Sequence, residues 1–308
     1  MLFVLSTLPI LLTILCGYLV TAAGLVPRDQ WEGINQLSFR LLIPVVLIRS
    51  IAVSDLSGIA SGAWILALLA TLALAGLAVL ALRLGLGRDR LPDPKFTTLF
   101  QSTTRWNAFI ALAAAELFAG PAGLALLAVG MAVLIPVINV VNIVVLVAYG
   151  TARTTALGIV TSILRNPLVQ GCAIGLAINL SGLALPGFVL QSLDLIGRAA
   201  LGVGLLAVGA GIGFRRLLDV SGPIWLGVAL RQGLCPLLFL LIAAALGLSL
   251  DEALAGSLIF AVPAAANGYV VARQMGGDAD LYADILTWQT LVSMALLPAL
   301  AAGVAALF

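Results

Sequence analysis

Apolar residues fill the chain in long runs, broken by short polar stretches rich in Arg, Asp, Gly and Pro. A helix needs about 20 predominantly apolar residues to cross the hydrocarbon core of a bilayer. That length predicts ten spans, near residues 2–24, 32–53, 59–83, 97–119, 122–149, 155–181, 187–213, 221–247, 252–274 and 280–306. The longest polar connection, RLGLGRDRLPDPK at residues 83–95, is expected to be a loop. The first run lacks a basic leader and its pattern returns later, so it is expected to belong to the fold and not to be a signal peptide.

An even number of spans puts both termini on one side. Arg28, Arg83, Arg88, Arg90, Lys95, Arg153, Arg215, Arg216 and Arg273 then fall in loops on the opposite side, whereas the terminal side carries Asp55, Asp251 and Glu252. Basic residues collect in cytoplasmic loops, so this asymmetry predicts cytoplasmic basic loops and both termini outside.

The pattern also repeats. Pro9, Gly17, Gly24, Leu25 and Arg40 return as Pro167, Gly175, Gly182, Leu183 and Arg198, each 158 positions on. NAFIA at 107–111 matches NGYVV at 267–271, 160 positions on, and MAVLIP at 131–136 loosely matches MALLP at 294–298. The chain therefore divides into residues 1–150 and 151–308, each with five spans. Five is odd, so the second half enters the membrane from the other face. Such inverted repeats are a signature of secondary transporters, with the substrate site at mid-membrane between the halves.

Candidate chemistry sits where polar residues interrupt the spans. Arg105 lies about 13 Å along the fourth span, near mid-membrane. An arginine at that depth costs at least about 2.5–3.5 kcal/mol on insertion scales, so it is expected to face the interior and to have a partner. Gln101, four residues before it, and Glu116, eleven after it, share its helical face. Asn107 points nearly the opposite way unless the helix unwinds.

The equivalent stretch of the ninth span, FAVPAAANGYVVARQMGG, is the strongest candidate for a broken helix. Pro263 cannot donate a backbone hydrogen bond, and Asn267–Gly268 tolerates non-helical torsions. Unwound helices leave N–H groups suited to an anion and carbonyls suited to a cation. Asp194 precedes Arg198 by four and is expected to neutralise it, whereas Arg40 has no such acid and is retained as a site candidate. Arg231 stays ambiguous, and Asn139 and Asn142 either line an inner vestibule or join helices. Asp284 is the carboxylate best placed to carry a coupling proton, with Glu116 behind it.

Composition narrows the function. The chain has 308 residues, 62% hydrophobic and 9% charged, with a mean hydropathy of +1.20. A soluble domain is about one quarter charged, so this is a polytopic membrane protein. It has no histidine, which excludes His-based metal sites, catalytic triads and imidazole relays. Cys16, Cys172 and Cys235 lie in apolar runs without metal-ligand spacing. No phosphate loop is present, and no ATP coupling, enzyme activity, cofactor or nucleic-acid partner is expected.

RNPLVQGCAIGLAINLSGLALP at 165–186, LLAVGAGI at 205–212, RWNAFIALAAAELFAGPAGLAL at 105–126 and AVPAAANGYVVARQMGGD at 261–278 resemble the bacterial branch of the auxin efflux carrier family, a resemblance running essentially end to end. It implies an all-α membrane fold of ten helices in two inverted five-helix repeats, with broken helices 4 and 9 crossing at the substrate site. It further implies a scaffold of spans 1, 2, 6 and 7, a moving part of spans 3–5 and 8–10, elevator-like alternating access and a homodimer.

On that resemblance the expected function is secondary transport of a small organic anion, a carboxylate, across the bacterial inner membrane, coupled to a proton or Na+. Asn107, Asn267, Arg105, Pro263, Gly268, Gln101 and Arg40 are the expected substrate-site residues. A sodium-coupled symporter like the bile-acid transporters and an anion channel are the alternatives. One departure from the family is that no proline lies between Pro94 and Pro121, which predicts a softer break in the fourth span, resting on Asn107 alone.

Overall fold

The computed structural model describes residues 2–27, 29–53, 61–150, 155–212 and 220–308. It is 86% helical, with no strand among the described residues. Arg28, Asp55, Arg153, Arg215 and Arg216, used above to orient the chain, lie outside the described residues.

The chain opens with α1 (Leu2–Ala22) and α2 (Gln30–Leu37), which widens through a π turn at Ser38–Leu42 into α3 (Ile43–Val53). Next come α4 (Gly62–Arg90), α5 (Asp93–Thr104) and α6 (Ala108–Tyr149). The second half holds α7 (Ala156–Leu164), α8 (Pro167–Leu180) and α9 (Gly187–Gly211), then α10 (Gly222–Val228). A π turn at Ala229–Leu234 joins α10 to α11 (Cys235–Ala245), followed by α12 (Leu250–Ala261), α13 (Asn267–Met275) and α14 (Ala279–Leu307).

Six continuous helical stretches among the described residues are long and apolar enough to cross a membrane. The expected ninth span is not among them, because its helix stops at Ala261 and resumes at Asn267. The expected loop at 83–95 is also corrected. α4 runs on through Arg90 with one non-helical residue, Gly87 at φ 74°, and α5 already starts at Asp93. Asp93 accepts from Arg83 at 2.7 Å and pairs with Arg88 at 2.7 Å, so the acid at the helix start neutralises two bases from the preceding helix end.

Glycine sets the closest approaches. On α1, a Cβ at Gly17 would strike the Leu206 carbonyl of α9, and one at Gly209 would strike the Ile14 carbonyl of α1. On α8, Gly171 lies over Pro44 and Gly175 over Ile48, so α8 packs on α3 with almost no side chain between them. Asn179 of α8 donates to the Ile51 carbonyl at 2.9 Å. Asp194 accepts from Arg198 at 2.7 Å, as expected from the spacing, and also pairs with Arg49 of α3 at 3.1 Å.

The remaining helices pack around Trp64, Leu68, Leu112, Leu127, Leu258 and Phe260, all buried. Ser61 caps α4, and Glu252 closes a capping box with Ser249 at the start of α12. Glu252 also accepts from the Ser61 N–H at 2.9 Å, and its carbonyl accepts from the Trp64 indole at 2.8 Å, tying α4 to α12. Between the two groups, Gly204 of α9 lies so close to Phe109 at the start of α6 that a Cβ there would strike its ring.

Candidate functional site

Two helices break, and the breaks meet. α5 ends at Thr104; Arg105 and Asn107 are extended at φ −77°, ψ 153° and φ −83°, ψ 106°; α6 begins at Ala108. α12 ends at Ala261, residues 262–266 are non-helical, and α13 begins at Asn267. Each leading half-helix has 12 residues and so spans about 18 Å, which sets both breaks near the middle of a 30 Å core. The Asn107 N–H donates to the Pro263 carbonyl at 2.8 Å. Pro263 is buried beside it.

The break in the fourth span is complete, not soft, although it has no proline. Asn107 supplies what proline would otherwise force. Its side-chain oxygen accepts from the N–H groups of Phe109 at 3.0 Å and Ile110 at 3.2 Å, which restarts the helix as an ordinary N-cap. Ahead of it, Thr103 and Thr104 turn their hydroxyls back to Leu99 and Phe100 carbonyls at 2.7 and 2.8 Å, bonds that compete with helix continuation. Thr104 also exchanges hydrogen bonds with the buried Asn142 of α6, at 3.0 and 3.2 Å, so Asn142 joins helices.

Breaking a helix orphans its last carbonyls, and three side chains serve them. Arg231, buried in the π turn that follows α10, donates from Nε to Val262 O at 2.9 Å, from Nη1 to Thr103 O at 3.1 Å and from Nη2 to Ile259 O. Gln232 donates to Gln289 O at 2.6 Å and to Ala261 O at 3.3 Å. Gln289 of α14 accepts from the Ala264 N–H at 2.9 Å, and donates to Ser102 O at 3.3 Å and Gly227 O at 2.9 Å. Arg231 and Gln232 both lie in the π turn, and both reach the end of α12, Arg231 at Ile259 and Val262 and Gln232 at Ala261.

Arg105 is buried at 6% exposure, and its Nε donates to Gln101 Oε1 at 3.2 Å. The second amide group of Gln101, Nε2, is buried without a partner. The ion pairs found among the described residues involve Arg49, Arg83, Arg88 and Arg198, and Arg105 is in none of them. Its expected partner is therefore an amide and not a carboxylate. On the other side, Tyr282 donates to Ala265 O at 2.7 Å, and its hydroxyl fills the space beside Gly268.

The breaks thus bring Arg105, Gln101, Asn107 and Pro263 into one region, with Gly268 next to it. The Asn267 backbone starts α13, while its side chain lies outside the described residues. Arg40 is not brought there: it is exposed, in the π turn after α2 that packs on α8 and α9. Glu116 is exposed and Asp284 buried. A cavity of ≈ 580 Å³ lies elsewhere, lined by Arg83, Arg88, Asp93 and Tyr149 among others. Sequence reasoning left Arg231 undecided and passed over Gln232 and Gln289. Their signal was only that each is a polar residue in mid-span.

No group of acids and cysteines that could hold a metal occurs among the described residues. No curated protein matches the chain. A family model described as a membrane transport protein matches residues 153–301, the part that supplies Arg231, Pro263 and Gln289. This is a transporter family, not an enzyme family, and its apolar helices make the chain a multi-pass membrane protein. Over residues 153–301 the chain is similar to the membrane transport protein family, that of the auxin efflux carriers.

Proposed function

We propose that the chain is a secondary transporter that carries a small organic anion, a carboxylate, through a site at the crossing of the two breaks. The observation that carries this reading is the Asn107–Pro263 hydrogen bond between two interrupted helices, with Arg105 buried beside it and paired to no carboxylate among the described residues. The half-helices α6 and α13 restart at this point, so their positive N-terminal ends add to the charge of Arg105. Gln101 holds Arg105, and its unpartnered amide N–H is a donor for a substrate oxygen.

The wider architecture is part of the proposal. Ten spans form two inverted five-span halves, 1–150 and 151–308, in the bacterial inner membrane with both termini outside. The repeat is supported by Gly24 and Gly182, 158 positions apart and both at positive φ, and by Gly87 and Gly247, 160 apart and likewise positive. The tight pairing of α1 with α9 and α3 with α8 supports a scaffold of spans 1, 2, 6 and 7, assembled as a homodimer. Spans 3–5 and 8–10 then move past it in elevator fashion. Of the two carboxylates considered for coupling, Asp284 is buried and the proposal keeps it as the proton carrier.

The test is a thermal-shift screen of mono- and dicarboxylates on the purified protein, repeated on Arg105→Ala and Asn267→Ala. A stabilising anion is expected to act on the wild type and to lose at least about tenfold in apparent affinity, about 1.4 kcal/mol, on Arg105→Ala. Equal stabilisation of all three proteins would sink the site.

A further inference from the structure

Arg231 carries one positive charge into the centre of the protein, where it is 1% exposed, and no ion pair among the described residues includes it. Its three carbonyl acceptors come from both breaks: Thr103 at the end of α5, and Ile259 and Val262 at the end of α12. A helix C-terminus carries about half a negative charge, so two converging ends amount to about one. The guanidinium and the two helix ends are therefore matched in charge with no side-chain acid involved. The Phe260 ring lies under the guanidinium carbon, 5.9 Å away, and adds the negative face of an aromatic.

Converging carbonyls at unwound helix ends are the oxygen set that seats a mobile alkali cation in transporters of broken-helix build. Here the same kind of set is filled by a side chain. We propose that Arg231 is a resident cation: its guanidinium permanently occupies the carbonyl cage at the crossing, so that no Na+ binds there. Arginine keeps its charge at any working pH and cannot leave. The crossing then holds its cation through every conformation, and the anion cycle runs without sodium. This rests on the transporter reading for its place in a cycle; the occupancy of the cage does not.

The test titrates Na+, guanidinium and choline, at constant ionic strength, against the thermal midpoint of the purified wild type and of Arg231→Lys and Arg231→Ala. Wild type and Arg231→Lys are expected to respond alike to Na+ and choline. Arg231→Ala, with three orphaned carbonyls and a space of guanidinium size, is expected to show a saturable upward shift with low-millimolar guanidinium or with Na+ that choline does not give. A saturable Na+ response of the wild type overturns the proposal, as does an Arg231→Ala protein indifferent to every cation. If Arg231→Ala does not fold, Arg231→Gln decides. It keeps amide donors without charge, and stability equal to Arg231→Lys overturns the proposal, whereas a clear loss relative to lysine sustains it. No readout here uses an organic anion, so failure of this test and failure of the anion screen are separate results.

Discussion

The N–H of Asn107 and the carbonyl of Pro263 are joined at 2.8 Å, although 156 residues separate them and each sits in a helix that has come apart. Each break finishes the other. Pro263 has no N–H of its own to give but leaves its carbonyl free; Asn107 spends its side chain on capping α6, which leaves its backbone N–H to cross over. Replacing Asn107 with alanine removes the cap and keeps the crossing bond. A loss of about 1 kcal/mol is expected, or about 2–4 °C in the thermal midpoint of the detergent-solubilised protein, with Asn107→Asp retaining most of it.

Gln289 is the residue whose loss should be felt most widely. Its amide serves the Ala264 N–H together with the Ser102 and Gly227 carbonyls, all buried. Gln289→Leu keeps the volume and orphans all three groups, each at about 1–3 kcal/mol. Poor recovery of monodisperse protein on size exclusion is expected, and wild-type yield and midpoint would show that the crossing does not depend on it.

The α1–α9 seam makes a sharper steric prediction. Gly17→Val and Gly209→Val each drive a side chain into a partner carbonyl, and overpacking of this kind costs about 1–3 kcal/mol or more. Gly202→Ala, on the same helix as Gly209 but with nothing within 4 Å, is expected to stabilise by about 0.5–1 kcal/mol. Thermal midpoints of the three variants, compared in one detergent, check the contrast in sign.

At the other end of α12, Glu252 joins Ser249 and Ser61 through its carboxylate. Glu252→Ala removes both acceptors at once, at about 1–2 kcal/mol. Hydrogen exchange is the fitting measurement, because the amides of Ser61 and Ser249 lose their acceptor while the indole of Trp64 still reaches the backbone carbonyl of residue 252. Faster exchange confined to those amides is the expected result.

Residues that change their own backbone are legible in a sequence. Pro263 announces a break, and Gly24 and Gly182 announce the repeat, to which the structure adds that both lie at positive φ. Asp194 and Arg198 are readable as a pair because their spacing is local. Arg231, Gln232 and Gln289 are of another kind. They answer carbonyls that become free only when helices far away in sequence unwind, as with Thr103, 128 positions from Arg231. The missing proline misled for a related reason. The fourth span is opened by threonines bonding back to their own turn and by a cap, neither of which has proline's signature.

Gly204 and Phe109 meet between the α1, α3, α8 and α9 group and the crossing. A bare glycine backbone against an aromatic ring offers no knob for a neighbouring hole. The crossing itself is the reverse case: Arg231 and Gln289 each grip both broken helices, so prising them apart would strip several buried donors together. The crossing is therefore cross-linked into a single unit, while the Gly204–Phe109 contact beside it is one of van der Waals packing.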